Sequence, residues 1–369
     1  MGPCYNYNTM ITQISPQKLL SSLHTYPIID VRAPKEFTQG HIPGALNVPL
    51  FSDTQRALVG TTYKQQGKED ALRVGIEIVG PHINNYIDTL QSLTHEKTVV
   101  VYCWRGGMRS KSICMLLNFF GYTTYQITGG YKAFRQYLYA QAERPYSIVL
   151  LGGTTGCGKT HLLTALADQG EQIIDLEKIA HHKGSAFGEL GEQPQPTQEQ
   201  FITNCLLELA QKDPNTTVWI EKESSRIGNI SLPQQLWHQM EQAPVIYINV
   251  PEEQRIKNLL HDYGTFSKEQ LKACVLKLTK QLGNERTRQL MDLLDQGDYK
   301  TGLKHLLAYY DKLYAYGLTK QSNHTFYHLD LPAAPFDEQA TIIKNYYQTQ
   351  VNHVRQRPTS QRLPADLNV

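Results

Sequence analysis

The chain lacks several features that would narrow its class at once. It has no C-x-x-C pair, no low-complexity tract, no internal repeat and no apolar stretch of transmembrane length. A membrane span is therefore not expected. No basic segment followed by an apolar run opens the sequence, so no signal peptide is indicated and a cytoplasmic location is the default expectation. The six cysteines (Cys4, Cys103, Cys114, Cys157, Cys205 and Cys274) are scattered singly, which argues against a disulfide framework or a zinc site. The His181-His182 pair lacks further ligands at metal spacing, so zinc is not expected there either. Strong charge is also missing, since the formal net charge is only +2. Its distribution is uneven. Residues 1–140 carry 13 basic against 8 acidic side chains, residues 141–250 carry 7 against 13, and residues 251–369 carry 16 against 13. Basic flanks around an acidic middle suit a polyanionic partner, and they equally suit plain solvated surface.

What is present is the composition of a folded protein, 40% hydrophobic and 19% charged, over 369 residues, a length that predicts two or three domains. Pro27 to Val31 and Thr98 to Tyr102 read as buried parallel strands, and Thr123 to Ile127 as another. Helices are expected over Ser110 to Phe120 and Tyr131 to Ala142, the second following a Gly129-Gly130 turn and ending near Arg144-Pro145. A first domain over residues 1–143 follows. A second, over 144–260, has strands at 147–151, 172–175, 217–221 and 244–250 with helical stretches between them, the pattern of a parallel sheet wrapped by helices. Residues 261–369 read as a mainly helical extension completing the second half. Leu271, Val275, Leu278 and Leu282 form a core stripe there, a late strand covers Phe326 to Leu331, and a tail from Arg357 is expected to be disordered.

Two passages carry chemistry. Cys103 ends a β-branched strand and is followed by Trp104-Arg105-Gly106-Gly107-Met108-Arg109-Ser110, after which a helix begins. A strand-loop-helix passage turns successive amides and the positive helix end toward one point, a cradle for an anion or an anionic nucleophile. Gly106 and Gly107 permit the backbone angles, and Arg105 and Arg109 add charge. Cys103 is therefore read as a catalytic nucleophile. The second passage, Gly153-Thr154-Thr155-Gly156-Cys157-Gly158-Lys159-Thr160, satisfies G-x-x-x-x-G-K-[ST] between an apolar strand and a helix. Its amides would hold a diphosphate, Lys159 would neutralise it, and Thr160 could ligate Mg²⁺. Cys157 fills a free position of the motif. Asp175 and Glu221 end the next two strands at the ligand-binding edge, either as base or Mg²⁺ ligands or as helix caps. Glu177, the stretch His181 to Gly188, and Glu223 to Gly228 with Arg226 look like ligand-facing loops.

Upstream of Cys103, Asp30-Val31-Arg32 leads to Glu36-Phe37 and then to Gly40-His41-Ile42-Pro43-Gly44-Ala45. This segment resembles the rhodanese superfamily. Its Gly and Pro residues read as turn-makers, and Asp30 with Arg32 as an internal ion pair bracing the active loop. The spacing C-x5-R from Cys103 to Arg109 departs from the simplest rhodanese pattern and is shared with phosphatases that form a phosphocysteine. No Asp or Glu lies between Cys103 and Thr128 to serve as their general acid, which lowers that reading without removing it.

A rhodanese-like half joined to a P-loop half, with Glu221-Lys222-Glu223-Ser224-Ser225-Arg226-Ile227-Gly228 and His182-Lys183-Gly184-Ser185-Ala186-Phe187-Gly188, resembles the bacterial tRNA 2-selenouridine synthase family. The resemblance implies an enzyme that acts on wobble 2-thiouridine of tRNA, geranylating its sulfur from geranyl diphosphate and then installing selenium from selenophosphate. It further implies that Cys103 carries the selenium; thiolate attack on selenium with release of phosphate is the mechanism expected here. Placing geranyl diphosphate at the P-loop and selenophosphate at Cys103 is the allocation expected here. The rival readings are a sulfurtransferase or cysteine phosphatase fused to a P-loop kinase, and a nucleotide-sensing regulator, against which the intact Cys103 speaks.

Overall fold

The protein is described by a computed structural model covering residues 11–23, 25–319 and 324–352. Cys4 and the tail from Arg357 lie outside the described residues. The chain divides into two compact units. The first takes residues through Glu143 together with Thr197–Gln211, and the second takes Arg144–Pro196 and the residues from Lys212 on.

The first unit is built on five strands: β1 (Thr12–Ile14), β2 (Ile28–Asp30), β3 (Leu46–Asn47), β4 (Thr98–Tyr102) and β5 (Thr123–Ile127). They form one wholly parallel sheet in the order β1-β5-β4-β2-β3. β4 is Thr-Val-Val-Val-Tyr, buried from Val99 onward, as a central strand covered on both faces requires. The chain order reverses between β2 and β4. The carboxyl ends of these two strands therefore flank a switch point, where open parallel sheets leave a crevice for ligands. Asp30 ends β2, and Cys103 follows β4.

Between Asn47 and Thr98, where no element is expected from the sequence, three helices run over Asp53–Gln65, Lys68–Val79 and Ile83–Leu93. The first is started by a reciprocal cap: Gln55 N donates to Ser52 Oγ at 3.3 Å and Ser52 N to Gln55 Oε1 at 2.9 Å. Leu58 and Tyr63 on it stay more than half exposed, so no clean apolar stripe marks it in sequence.

A larger difference concerns Gln198–Ala210, a helix capped by Thr197. The sequence places it in the second domain, yet it joins the first unit, with Phe201, Cys205 and Leu209 fully buried. Glu199 pairs with Arg135 at 3.4 Å, and Gln200 Oε1 accepts from His41 N at 2.8 Å.

In the second unit, β6 (Ser147–Gly153), β7 (Gln172–Ile174), β8 (Thr217–Glu221), the short antiparallel pair β9 (Arg226–Ile227) and β10 (Ile230–Ser231), β11 (Val245–Asn249) and β12 (Phe326–Asp330) follow in chain order. Its main sheet is parallel, in the order β12-β11-β6-β8-β7. The chain goes to one side of β6 for β7 and β8 and to the other for β11 and β12, so the loop after β6 sits at this sheet's own switch point. Residues 268–319 are helical in four pieces, Lys268–Lys277, Thr279–Leu282, Asn284–Gln296 and Tyr299–Thr319. Leu271, Val275, Leu278 and Leu282 are all buried in one apolar cluster. No helix among the described residues is long and apolar enough to cross a membrane.

The Asp30–Arg32 pair lies wholly inside the first unit, with 0% and 1% exposure. Removing one partner of such a pair strands a buried charge. Asp30→Ala is expected to cost about 3–5 kcal/mol of stability, measured by urea denaturation of the full chain. A loss under about 1 kcal/mol would show that the pair carries no such burden.

Candidate functional site

Cys103 is buried at 3% exposure, in a loop that closes at Gly107, the N-cap of the helix Met108–Phe119. Its Sγ lies 3.2 Å from Ser110 Oγ. Ser110 in turn accepts from Gln126 Nε2 at 2.7 Å, and the same amide reaches the Gly106 carbonyl at 3.0 Å. Gln126, on β5, thus ties the loop to the sheet. Sequence reading gave it no role.

The loop is also held by a second helix. Tyr131 N donates to the Cys103 carbonyl and Lys132 N to that of Trp104, both at 3.0 Å, so the loop satisfies orphan amides of the helix Gly130–Ala142. Such close backbone contact leaves no room for a side chain. Gly130 has φ +63°, and a Cβ there would stand 2.3 Å from the Cys103 oxygen. The Gly129-Gly130 pair is a turn, as expected, and at the same time the seat of the loop.

Asp30 and Arg32 act one layer below. Arg32 Nη2 donates to Asp30 Oδ2 at 2.6 Å and to the Gly40 carbonyl at 2.7 Å. Its guanidinium carbon sits 4.2 Å from the centre of the Tyr131 ring and 5.5 Å from that of Tyr102. Tyr102 precedes Cys103 and Tyr131 follows Gly130, so one buried cation is packed against both ends of the loop's framework. Burial opposes the Arg32 charge, but the hydrogen bonds and proximity of Asp30 outweigh it and hold Arg32 above its ordinary value.

Of the two arginines expected in the cradle, Arg105 is exposed on the loop. Arg109 is engaged by Glu36, with Nη1 to Oε2 at 2.7 Å and Nη2 to Oε1 at 3.3 Å, and Arg56 approaches the same carboxylate at 3.5 Å. Burial tends to raise Glu36, but Arg109, with the Ala33 amide and Arg56, holds it below the ordinary carboxylate range. In this arrangement the charge of Arg109 is already matched.

In the second unit, the loop after β6 turns into the helix Lys159–Asp168 at Gly158, whose φ is +85°. A Cβ on Gly158 would meet Phe336 at 2.6 Å. The Thr155 carbonyl accepts from Arg255 Nε at 2.8 Å and the Gly156 carbonyl from Asn258 Nδ2 at 2.9 Å, which fixes the loop against the helix Glu252–Tyr263. Arg255 is itself clamped by both oxygens of Asp311, at 2.6 and 2.9 Å. Thr154 Oγ1 is buried with no hydrogen-bond partner among the described residues, a polar atom awaiting one. Cys157 is buried at 1% exposure and packs in the core beneath the loop.

Asp175 and Glu221, open in sequence between ligand and cap, are both found capping the helix Leu176–Ala180. Asp175 Oδ1 accepts from Lys178 N at 2.7 Å and Glu221 Oε2 from Leu176 N at 3.0 Å. Burial, then the charges of Asp175 and Glu177, push the fully buried Glu221 well above its ordinary range. The carboxylates that face the loop are instead Glu177 and Glu223. Glu177 Oε2 accepts from Thr160 Oγ1 at 3.1 Å. A Cβ built on Gly184 would lie 3.1 Å from an oxygen of Glu177 and 3.0 Å from one of Glu223, so the two groups converge. Burial and then Glu223 push Glu177 up to about 7, against the pull of Lys159 and Thr160. Burial likewise raises Glu223, with Lys159 pulling it down. Arg226 is not brought to this cluster; it is exposed on β9, and its Nε donates to the Gly228 carbonyl at 3.2 Å.

Two outcomes follow. Gly130→Ala is expected to displace the Cys103 loop and slow alkylation or any turnover at Cys103 by about tenfold or more, because φ and the 2.3 Å contact both forbid a side chain. Alkylation kinetics followed by mass spectrometry check it. Glu36 has a lowered folded pKa, so its contribution is present above its unfolded value near 4.5 and is lost as pH falls through the folded one. Glu36→Gln should therefore cost about 1 kcal/mol at neutral pH, and the gap from the parent protein should close in acid. Denaturation at both pH values measures it.

Comparison with known proteins adds the lineage. A family model described as the tRNA 2-selenouridine synthase AAA domain matches residues 146–334, and a rhodanese-like domain model matches residues 15–137. The tRNA 2-selenouridine synthase of Nitrosomonas europaea is 39% identical over 245 residues, which cover 64% of this chain and 63% of that protein. Those of Shewanella frigidimarina and Psychromonas ingrahamii are 34% and 32% identical over 347 and 348 residues. These alignments cover 84% and 85% of this chain and 93% and 94% of those proteins. With two domain models in this order and relatives matched over most of its length, the chain belongs to the tRNA 2-selenouridine synthase family.

Proposed function

We propose that this enzyme converts the wobble 2-thiouridine of tRNA to 2-selenouridine in two steps, geranylation of the sulfur and then its replacement by selenium. What supports the division is that each unit has one strand–loop–helix passage at the switch point of its own parallel sheet, and that the first of them carries Cys103. The P-loop cradle is the place for the diphosphate of geranyl diphosphate. There the carbon–oxygen bond breaks, the tRNA sulfur takes the geranyl carbon, and Lys159 with the loop amides stabilises the departing diphosphate. Thr160, Glu177 and Glu223 converge as an oxygen donor set that suits Mg²⁺. A bound Mg²⁺ would neutralise diphosphate charge.

Electron balance decides how Cys103 treats selenophosphate. Attack on selenium would expel phosphorus at the phosphite level, and phosphate could leave only with an added oxidant. Attack on phosphorus breaks the phosphorus–selenium bond, leaves a phosphocysteine that water later cleaves to phosphate, and frees hydrogen selenide ion without redox change. The phosphorus route therefore replaces the cysteine-bound selenium expected from the family resemblance. The C-x5-R length of the loop supports it. Selenide then adds to C2 of the geranylated base, and geranyl thiol leaves.

Cys103→Ala should abolish selenation while geranylated tRNA accumulates, and Lys159→Ala should lower geranylation by about a hundredfold, as for loss of a charge-stabilising group. Mass analysis of nucleosides from thiolated tRNA incubated with each donor, alone and together, reads both. Geranylation intact in Lys159→Ala would overturn the assignment of donors.

A further inference from the structure

Two helices of the second unit bring three metal-ligating side chains together just beyond the P-loop. His161 follows Thr160 in the first turn of the helix Lys159–Asp168, and His261 and Asp262 lie in the last turn of the helix Glu252–Tyr263. His161 Nε2 stands 3.0 Å from Asp262 Oδ1, and His261 Nδ1 stands 3.4 Å from the same oxygen. All three ligand atoms lie within 4.8 Å of one another. His161 and Asp262 are 101 positions apart in the chain, so no motif spacing announces the group. Phe336 holds the His161 ring by stacking on it, with 4.9 Å between centroids. His261 is 80% exposed, which leaves its ring room to turn.

We propose that His161, His261 and Asp262 bind a transition-metal dication of the zinc class, at a site separate from the oxygen donors around Thr160. Two imidazole nitrogens and a carboxylate oxygen are a donor set for Zn²⁺ or Co²⁺, whereas Mg²⁺ takes oxygen ligands. Bonds of about 2.0–2.1 Å to a tetrahedral ion set neighbouring ligand atoms about 3.4 Å apart. The two distances to Asp262 Oδ1, 3.0 and 3.4 Å, already stand close to that edge. The third edge, between the two imidazole nitrogens, closes by rotation of His261, and a water completes the fourth position. An ion pair of His161 with Asp262 would be complete by itself; the second imidazole directed at the same oxygen is what such a pair leaves over. The carbonyls in the last turn of the helix Glu252–Tyr263 add their own preference for a cation. The charge of Lys183 acts on both His161 and Asp262 and opposes that preference, but its ammonium is engaged by Glu192 at 3.5 Å and by the Tyr263 ring. The ion would cross-link the helix that leaves the P-loop to the helix whose Arg255 and Asn258 hold the loop's carbonyls.

The test is a titration of the full chain, freed of metal with a chelator, using Co²⁺ as the probe in the presence of excess Mg²⁺. One equivalent of Co²⁺ should bind with the visible bands of a four-coordinate ion and without a thiolate charge-transfer band, which sets Cys103 and the other cysteines apart from the site. Zn²⁺ should displace it. His261→Ala and Asp262→Asn should each weaken Zn²⁺ binding by about tenfold or more, at least what the loss of an outer-shell partner costs. Zn²⁺ should also raise the melting temperature of the parent protein and leave that of His261→Ala unmoved. Because His261 is exposed, the variant should melt in chelator where the parent does, which shows that its fold is intact. Absence of Co²⁺ binding in the parent would overturn the proposal. So would a thiolate band, displacement of Co²⁺ by Mg²⁺, or equal Zn²⁺ affinity in the parent and both variants.

Discussion

The buried pair of Asp30 and Arg32 is the constraint on which the first site depends. A guanidinium at 1% exposure must have its charge and its donors satisfied inside the protein. Here Asp30, the Gly40 carbonyl and two aromatic faces do so together. Those partners come from the end of β2, from Gly40 at the end of the helix Pro34–Gln39, from the residue before Cys103 and from the first turn of the helix that seats the loop. Satisfying one cation therefore fixes four separate pieces of chain around Cys103. The loop is held in the same way, through backbone contacts from Tyr131 and Lys132 and side-chain contacts from Gln126. A loop held in this way is the pre-organised kind that the proposed chemistry at Cys103 requires.

The second unit solves the opposite problem. It concentrates Asp175, Glu177, Glu221 and Glu223 near the single loop lysine, Lys159, and burial raises all four carboxyl groups. Two of them are spent on capping a short helix, which leaves Glu177 and Glu223 facing Lys159 and Thr160. The acidic middle of the sequence is in part this cluster, so its local charge imbalance has a structural location.

Much of this was legible because it is local. Strand, glycines and helix lie consecutively in both passages; Gly106, Gly130, Gly156 and Gly158 hold positive φ, whereas Gly107, at φ −93° with open space around it, does not need to be glycine. The strands at 98–102, 123–127 and 217–221 stand at their expected bounds; the first and third are buried on both faces, which leaves such runs few alternatives. What was not legible depends on distant partners. The helix Gln198–Ala210 follows β7 in sequence but joins the first unit, and only pairings such as Glu199 with Arg135 reveal it. Arg109 looked like a free charge in a cradle because its partner, Glu36, lies 73 residues upstream. Asp175 and Glu221 end strands at a ligand edge, as both caps and ligands do, and spacing alone does not separate these roles.

The central claim is that the two sites work in sequence and separately: the P-loop prepares the base, and Cys103 frees the selenide that enters it. The most direct measurement supplies Lys159→Ala protein with tRNA already geranylated on its wobble 2-thiouridine, together with selenophosphate, and follows 2-selenouridine by mass spectrometry. The account predicts selenation at close to the rate of the parent protein. Failure of the variant on this substrate, where the parent succeeds, would contradict it.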